Sequence, residues 1–377
     1  MKKLGWVPLL MAWLVGSAPA QSADPGYRVA IVSESGDIVT WLKPNGPQLT
    51  VERGVPVGIM PADIDGPHNV AIAPDMKSYF VTIAHGVPFG TLWRFDVATD
   101  SLIGKATVEL FPTTIAITPD GEFAFVANSD FHGDRPRTNV VSIVHVPTMA
   151  KITDLPACDM PHGVKSSRAG AFVYVSCMNS DEILEIDTNT FGISRRVRIG
   201  KGHDMGGHAA MTHAPSQASA PLPPPADPYG LLKKECAGTF VSVSPDDKTL
   251  YVACNYGNTL QVWDAAALTL IKEIPVGAGA YNVEPSPDGS LLVVTNKKDQ
   301  SVSLIDAKTL TEVARLKTTK KIVHGVAFSP DGRYAYVSQE SIGSDPGAID
   351  VIDLSTRKVA STIAIPAQPT GITILKR

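Results

Sequence analysis

The chain has 377 residues, of which 44% are hydrophobic and 19% charged, which suits one large or two ordinary globular cores and excludes a disordered or fibrous chain. Its formal net charge is -4 and no block of Lys or Arg occurs. The basic footprint that nucleic-acid binding requires is therefore missing, and no nucleic acid is expected as a partner.

The N-terminus runs Lys2-Lys3, an apolar stretch from Leu4 to Val15, then Ala18-Pro19-Ala20. This is the charged, apolar and small-residue order of a secretory signal. Residues 1–20 are read as a signal peptide, with Ala23 as an alternative cleavage point. The apolar run falls short of the ~20 residues a spanning helix needs, and no Cys follows to carry a lipid anchor. The expectation is a periplasmic protein with no membrane span after cleavage, most simply a monomer.

From residue 27 onward one phrase recurs: HNVAIAPD at His68, TTIAITPD at Thr113, TFVSVSPD at Thr239, YNVEPSPD at Tyr281 and HGVAFSPD at His324, with a degenerate copy ending in SSRAG at Ser166–Gly170. Aligned on the Asp or its equivalent, the copies lie about 42 to 49 residues apart except at one interval, the spacing of propeller blades. Within a unit, short runs alternate with period 2 and are punctuated by Gly, Asp and Pro, which predicts four antiparallel strands. The chain ends on PTGITILKR, matching only a first strand, while residues 27 to about 60 hold only later strands. The ends together make a seventh unit. An all-β, seven-bladed β-propeller over 27–377 is predicted, closed by pairing of the C-terminal strand with the N-terminal strands, which removes the exposed sheet edges.

One residue per unit occupies the place seven positions before the turn aspartate: His68, Thr113, His162, Thr239, Tyr281, His324 and Thr370. All seven should ring one mouth of the central channel. Three histidines there suit copper or zinc, because neutral imidazole nitrogen is their usual ligand. The competing reading is that they only hydrogen-bond neighbouring strand ends.

The long interval carries an insertion at 201–235, GHDMGGHAAMTHAP followed by Pro- and Ala-rich sequence, with His203, Met205, His208, Met211 and His213. Imidazole with thioether is a copper-like set, so these are expected as auxiliary ligands on the same face as the ring. The four cysteines fall in matching frames, each pair joining the start of one strand to the end of the next. Cys158 with Cys177 and Cys236 with Cys254 are the expected disulfides of an oxidising compartment, with thiolate ligation of copper as the alternative. Asp63, Asp65, Asp130, Asp134, Glu284 and Glu340 lie in loops or at strand ends, and no spacing singles out an acid and base pair. Trp93 and Trp263 fall late in third strands, where aromatic core is the usual role. Nucleophile elbows, phosphate loops and dinucleotide fingerprints do not occur. No C-x-x-C-H motif occurs either, so covalent haem is not expected.

The segments FVAN at Phe125, VVTN at Val293 and the pattern from Val323 to Val337 resemble the YVTN or YncE-like seven-bladed β-propellers. That resemblance covers essentially the whole mature chain and implies fold more than function, since such propellers include enzymes and binding modules. The histidine turns GPHN and MPHG resemble those of the nitrous oxide reductase propeller, and the repeats distantly resemble the cytochrome cd1 propeller. Fewer ring histidines are present here than the reductase cluster uses, and no cupredoxin domain follows, so a mononuclear or labile copper site is the expectation. Function would be copper binding or copper-dependent redox chemistry, with Tyr281 available as a proton or hydrogen-bond donor and a periplasmic redox or copper-handling protein as partner. The alternative is a metal-free scaffold resembling the heavy subunit of a periplasmic amine dehydrogenase. A lactonase-like hydrolase ranks last, because it would need carboxylate and Asn ligands at the ring.

Overall fold

A computed structural model describes residues 24–58, 65–85, 89–130, 139–200, 234–341 and 343–377. Among these, 28 strands form seven four-stranded antiparallel sheets arranged as the blades of a propeller. Six blades are continuous in sequence. Blade 1 begins at Pro67, blade 2 at Pro112, blade 3 at Pro161, blade 4 at Gly238, blade 5 at Ala280 and blade 6 at Ile322. Blade 7 takes its innermost strand, Pro369–Lys376, from the C-terminus and its other three, Tyr27–Ser33, Ile38–Asn45 and Gln48–Pro56, from the N-terminal part. The closing register sets Tyr27 opposite Lys376, Val29 opposite Ile374 and Ile31 opposite Ile372, and the Tyr27 hydroxyl lies 2.6 Å from that of Tyr336 in blade 6. The closure read from the sequence is what the fold uses.

The repeated phrase works as a turn. In four copies the Ser or Thr hydroxyl donates to the Asp carboxylate two residues on, as Ser244 to Asp246 at 2.6 Å and Ser286 to Asp288 at 2.6 Å. The following residue has positive φ, usually Gly, as Gly121, Gly289 and Gly332. Such a turn returns the chain from an innermost strand to the second strand of its blade.

Burial falls from the axis outward. Second and third strands are almost wholly buried, as FVYVSC at Phe172–Cys177, while outermost strands such as Thr269–Pro275 are largely exposed. Apolar side chains of adjacent blades interdigitate. One such cluster joins Val70, Tyr79 and Trp93 of blade 1 to Ala30, Trp41 and Leu375 of blade 7. Trp93 and Trp263 are both core residues, as the sequence implied. Both expected disulfides, Cys158–Cys177 and Cys236–Cys254, are present, and no free cysteine remains. Two disulfides in a chain of this size fit an oxidising compartment. Residues 1–23, where the signal peptide is read, lie outside the described residues.

Candidate functional site

The seven ring residues do come together. Each sits near the start of an innermost strand, and all are buried, from Thr113, His162 and Thr239 at 0% to His68 and Tyr281 at 7% exposed. A register shift occurs at that position in every blade, between Pro67 and Asn69, Pro112 and Thr114, Pro161 and Val164, Gly238 and Phe240, Ala280 and Val283, and Val323 and Val326, with the equivalent irregularity opposite Thr370 in blade 7. A bulge re-aims a side chain. Here seven bulges turn one side chain per blade toward the axis.

The ring divides into two kinds of position. The threonines belt the blades together: Thr113 donates to the His162 carbonyl at 3.2 Å, Thr239 to that of Tyr281 at 2.5 Å and Thr370 to that of His68 at 2.8 Å. His162 partly joins this belt, since its Nδ1 lies 2.8 Å from the Thr239 carbonyl oxygen. A carbonyl only accepts, so Nδ1 carries the proton and Nε2 is the lone-pair nitrogen.

The three histidines converge on the axis. Ring centroids of His68 and His324 are 5.6 Å apart, and those of His68 and His162 are 6.5 Å apart. Tyr281 closes the fourth side, 4.6 Å from the His324 ring and 5.6 Å from that of His162. Its hydroxyl is 3.2 Å from His162 Nε2. Phe240 stands among them, 5.3 Å from His162 and 6.5 Å from His324.

Two carboxylates and an ammonium surround the imidazoles. Glu34, in the short turn after Tyr27–Ser33, places Oε2 2.8 Å from His68 Nδ1 and Oε1 2.8 Å from His85 Nε2. An ionised carboxylate accepts only, so both nitrogens donate, and in the neutral His68 ring Nε2 is the lone-pair atom. That nitrogen is buried with no hydrogen-bond partner. Glu340 lies 3.7 Å from His324 Nε2 and is paired with Lys297 at 2.7 Å, whose ammonium sits 4.3 Å above the Tyr281 ring. Neither nitrogen of His324 makes a hydrogen bond.

These surroundings set the charge states. Burial alone would push the Glu34 carboxyl up, but the charges and hydrogen bonds of His68 and His85 outweigh it and hold it at about 2. Burial, reinforced by the charge of His68, lowers His162 to about 3. Burial, with Lys297 and the other ring histidines, holds His324 well below the ordinary imidazole value. Burial and the charges of Glu340 and Glu34 push the Tyr281 phenol well above its usual range, so it keeps its proton. His162 and His324 are therefore neutral at neutral pH beside a protonated phenol, and Tyr281 donates to His162.

Three residues further along each innermost strand lies a second tier. There Lys165 of blade 3 reaches across to Glu284 of blade 5 at 2.6 Å, and Ser242 of blade 4 donates to Glu284 at 2.8 Å. Of the other acidic residues singled out, Asp65 and Asp130 are buried beside the ring face, while Asp63 and Asp134 lie outside the described residues. His203, Met205, His208, Met211 and His213 lie outside them too. Among the described residues no group of three or more His, Cys, Asp or Glu stands with its donor atoms already gathered around one point. Glu34, His85 and Lys297 were not visible as site residues in the sequence. The one signal is positional: each directly or closely follows the second strand of its blade, as Glu340 ends one.

The profile of the cytochrome D1 haem domain family matches residues 286–374, the last quarter of the chain. Among solved structures, hydrazine synthase of Kuenenia stuttgartiensis is similar at 18% identity with a TM-score of 0.64, over 85% of this chain and 99% of that one. A functionally unknown protein of Desulfotomaculum acetoxidans is similar at 14% identity and a TM-score of 0.69, over 92% and 98%. The dihydro-haem d1 dehydrogenase NirN, in complex with DHE, is similar at 16% identity and a TM-score of 0.57, over 95% and 77%. The chain thus distantly resembles the cytochrome cd1 type of propeller, and at these identities the likeness extends to the fold alone.

Proposed function

We propose that this protein is an exported metal-binding propeller whose channel ring, His68, His162 and His324, takes a single transition-metal ion, copper by preference. The observation that carries this reading is the Glu34–His68 pair: a carboxylate on Nδ1 that leaves Nε2 buried, unpartnered and aimed at the axis. Carboxylate–histidine pairs of this kind orient metal-bound imidazoles and raise their basicity. Imidazoles sharing one ion at ~2.0 Å place their centroids roughly 5 to 6 Å apart; His68 stands 5.6 Å from His324 and 6.5 Å from His162, so the ring would have to draw inward around an ion. Two carboxylates, Glu34 and Glu340, stand beside the ring against the single ammonium of Lys297, which favours a cation there. An all-nitrogen set suits copper ahead of other first-row ions by the usual affinity order. Redox chemistry and delivery of copper to a periplasmic partner are both open to such a site, and the His and Met residues of 201–235 are its proposed auxiliary ligands.

The likeness to the haem d1 propellers favours a second ligand, a non-covalently held tetrapyrrole. The ring itself does not fit one, because its side chains are buried and their rings stand 4.6 to 6.5 Å apart, with no slot for a macrocycle between them. Such a ligand would have to lie on the face outside the ring. The third reading, a metal-free scaffold, is favoured by the absence of a preformed donor cluster among the described residues.

Titration of metal-free protein with Cu(II), followed by electron paramagnetic resonance, separates these readings. One equivalent bound with nitrogen hyperfine structure, lost when all three ring histidines are changed to Ala, supports the copper site. A spectrum that is the same in the variant assigns the copper elsewhere, and haem uptake without copper uptake favours the tetrapyrrole.

A further inference from the structure

His85 is absent from the ring, yet it is built into the support of His68. Its Nε2 holds the second oxygen of Glu34 at 2.8 Å, so one carboxylate spans the buried ring histidine and a partly exposed one. The His85 imidazole is itself confined. A Cβ at Gly66, which has φ +64°, would stand 2.0 Å from His85 Cδ2, so only glycine leaves the ring its space. Phe111 covers the other side, its ring 5.2 Å from His85 and 5.4 Å from His68. Phe111 takes positive φ, +52°, a conformation a bulky residue rarely adopts, and its place over the two imidazoles depends on it. The backbone nitrogen of His85 is held by the Asp65 carbonyl at 3.0 Å, and Asp37 in turn holds the backbone of Gly66 at 2.9 Å.

We infer that His85 is a positioning residue for the ring: through Glu34 it fixes the orientation and tautomer of His68, so that Nε2 faces the channel axis before any ligand arrives. A carboxylate held at one oxygen only can rotate, and His68 could then turn its protonated nitrogen inward. Anchoring the second oxygen removes that freedom. The fixed tautomer does not depend on the metal reading; its consequence for affinity does.

The test is imidazole nitrogen NMR on metal-free, histidine-labelled protein at neutral pH, with His162 as internal control because the Thr239 carbonyl fixes its tautomer independently. In the parent protein His68 should show one tautomer, with the proton on Nδ1. His85→Phe should give a mixture at His68 and leave His162 unchanged, whereas His85→Gln, whose amide can still donate to Glu34, should restore the single form. Gly66→Ala should mimic His85→Phe by displacing the imidazole without altering its chemistry. A single Nδ1-protonated His68 in folded His85→Phe would overturn the inference. If Cu(II) binds the parent, affinity should fall about 10- to 100-fold in His85→Phe. A tautomer shift without copper binding in any form would sustain His85 as a positioning residue and sink the metal reading alone.

Discussion

The phenol of Tyr281 donates to Nε2 of His162 at 3.2 Å, linking blade 5 to blade 3 across the channel. The Nε2 of His162 is therefore engaged, while that of His68 has no hydrogen-bond partner. A metal ion that takes His162 must displace the phenol.

Tyr281→Phe should accordingly tighten metal binding. A hydrogen bond of this kind contributes about 0.5–1.5 kcal/mol net, so the gain in copper affinity is expected to lie between about twofold and tenfold. Competitive titration with a chelator of known affinity measures it. Weaker binding would show that Tyr281 is itself a ligand.

Glu34→Gln should weaken copper binding by about 10- to 100-fold, the usual effect of losing the carboxylate behind a ligating histidine. The amide can present either a donor or an acceptor to His68, so the tautomer is no longer imposed. Thermal unfolding of the variant separates this loss from a loss of fold.

Acid should destabilise the protein through three buried groups, His162, His324 and Glu34. His162 is held at about 3, below its ordinary 6.5, so between these values the unfolded chain binds the proton and the folded chain does not. Stability therefore falls as pH drops below about 6.5 and goes on falling to about 3. Glu34, lowered to about 2 from 4.5, contributes stability that is present above pH 4.5 and lost as pH falls toward 2. Chemical denaturation from pH 7.5 to 3.5 should show a monotonic decline, and His162→Asn should make it shallower between pH 6.5 and 4.5, where His324 still contributes. A stability maximum near pH 4 would contradict the assigned charge states.

Reducing agent should lower the melting temperature. Each disulfide closes a short loop, with sequence separations of 19 and 18, and removal of one is expected to cost about 2–4 kcal/mol. Non-reducing peptide mapping should find Cys158 joined to Cys177 and Cys236 to Cys254, with no free thiol.

Much of this architecture is legible in the sequence because the repeat repeats its chemistry. The Ser–Asp turns mark each blade, and a residue seven positions before the Asp falls at the same height on the axis in every blade, which is how His68, His162 and His324 could be grouped. The terminal strand PTGITILKR identifies itself by matching only one quarter of a unit. The cysteine pairing follows from strand starts lying beside strand ends. What the repeat does not carry is the aim of a side chain and its non-repeated neighbours. Bulges leave no mark in the spacing, so the depth of burial of the ring was not readable. Glu34 of blade 7 meets His68 and His85 of blade 1, and Lys297 of blade 5 meets Glu340 of blade 6, only across blade boundaries. Gly163 lets the innermost strands of blades 3 and 4 approach closely, since a Cβ there would lie 2.6 Å from the Phe240 Cα.

The most direct test of the channel ring as a metal site is the metal content of untagged protein, purified without added metal, beside the variant with His68, His162 and His324 all changed to Ala. Copper close to one equivalent in the parent and absent from the folded variant is the predicted result. Metal-free parent protein that stays metal-free after incubation with Cu(I) or Cu(II) and desalting would contradict it.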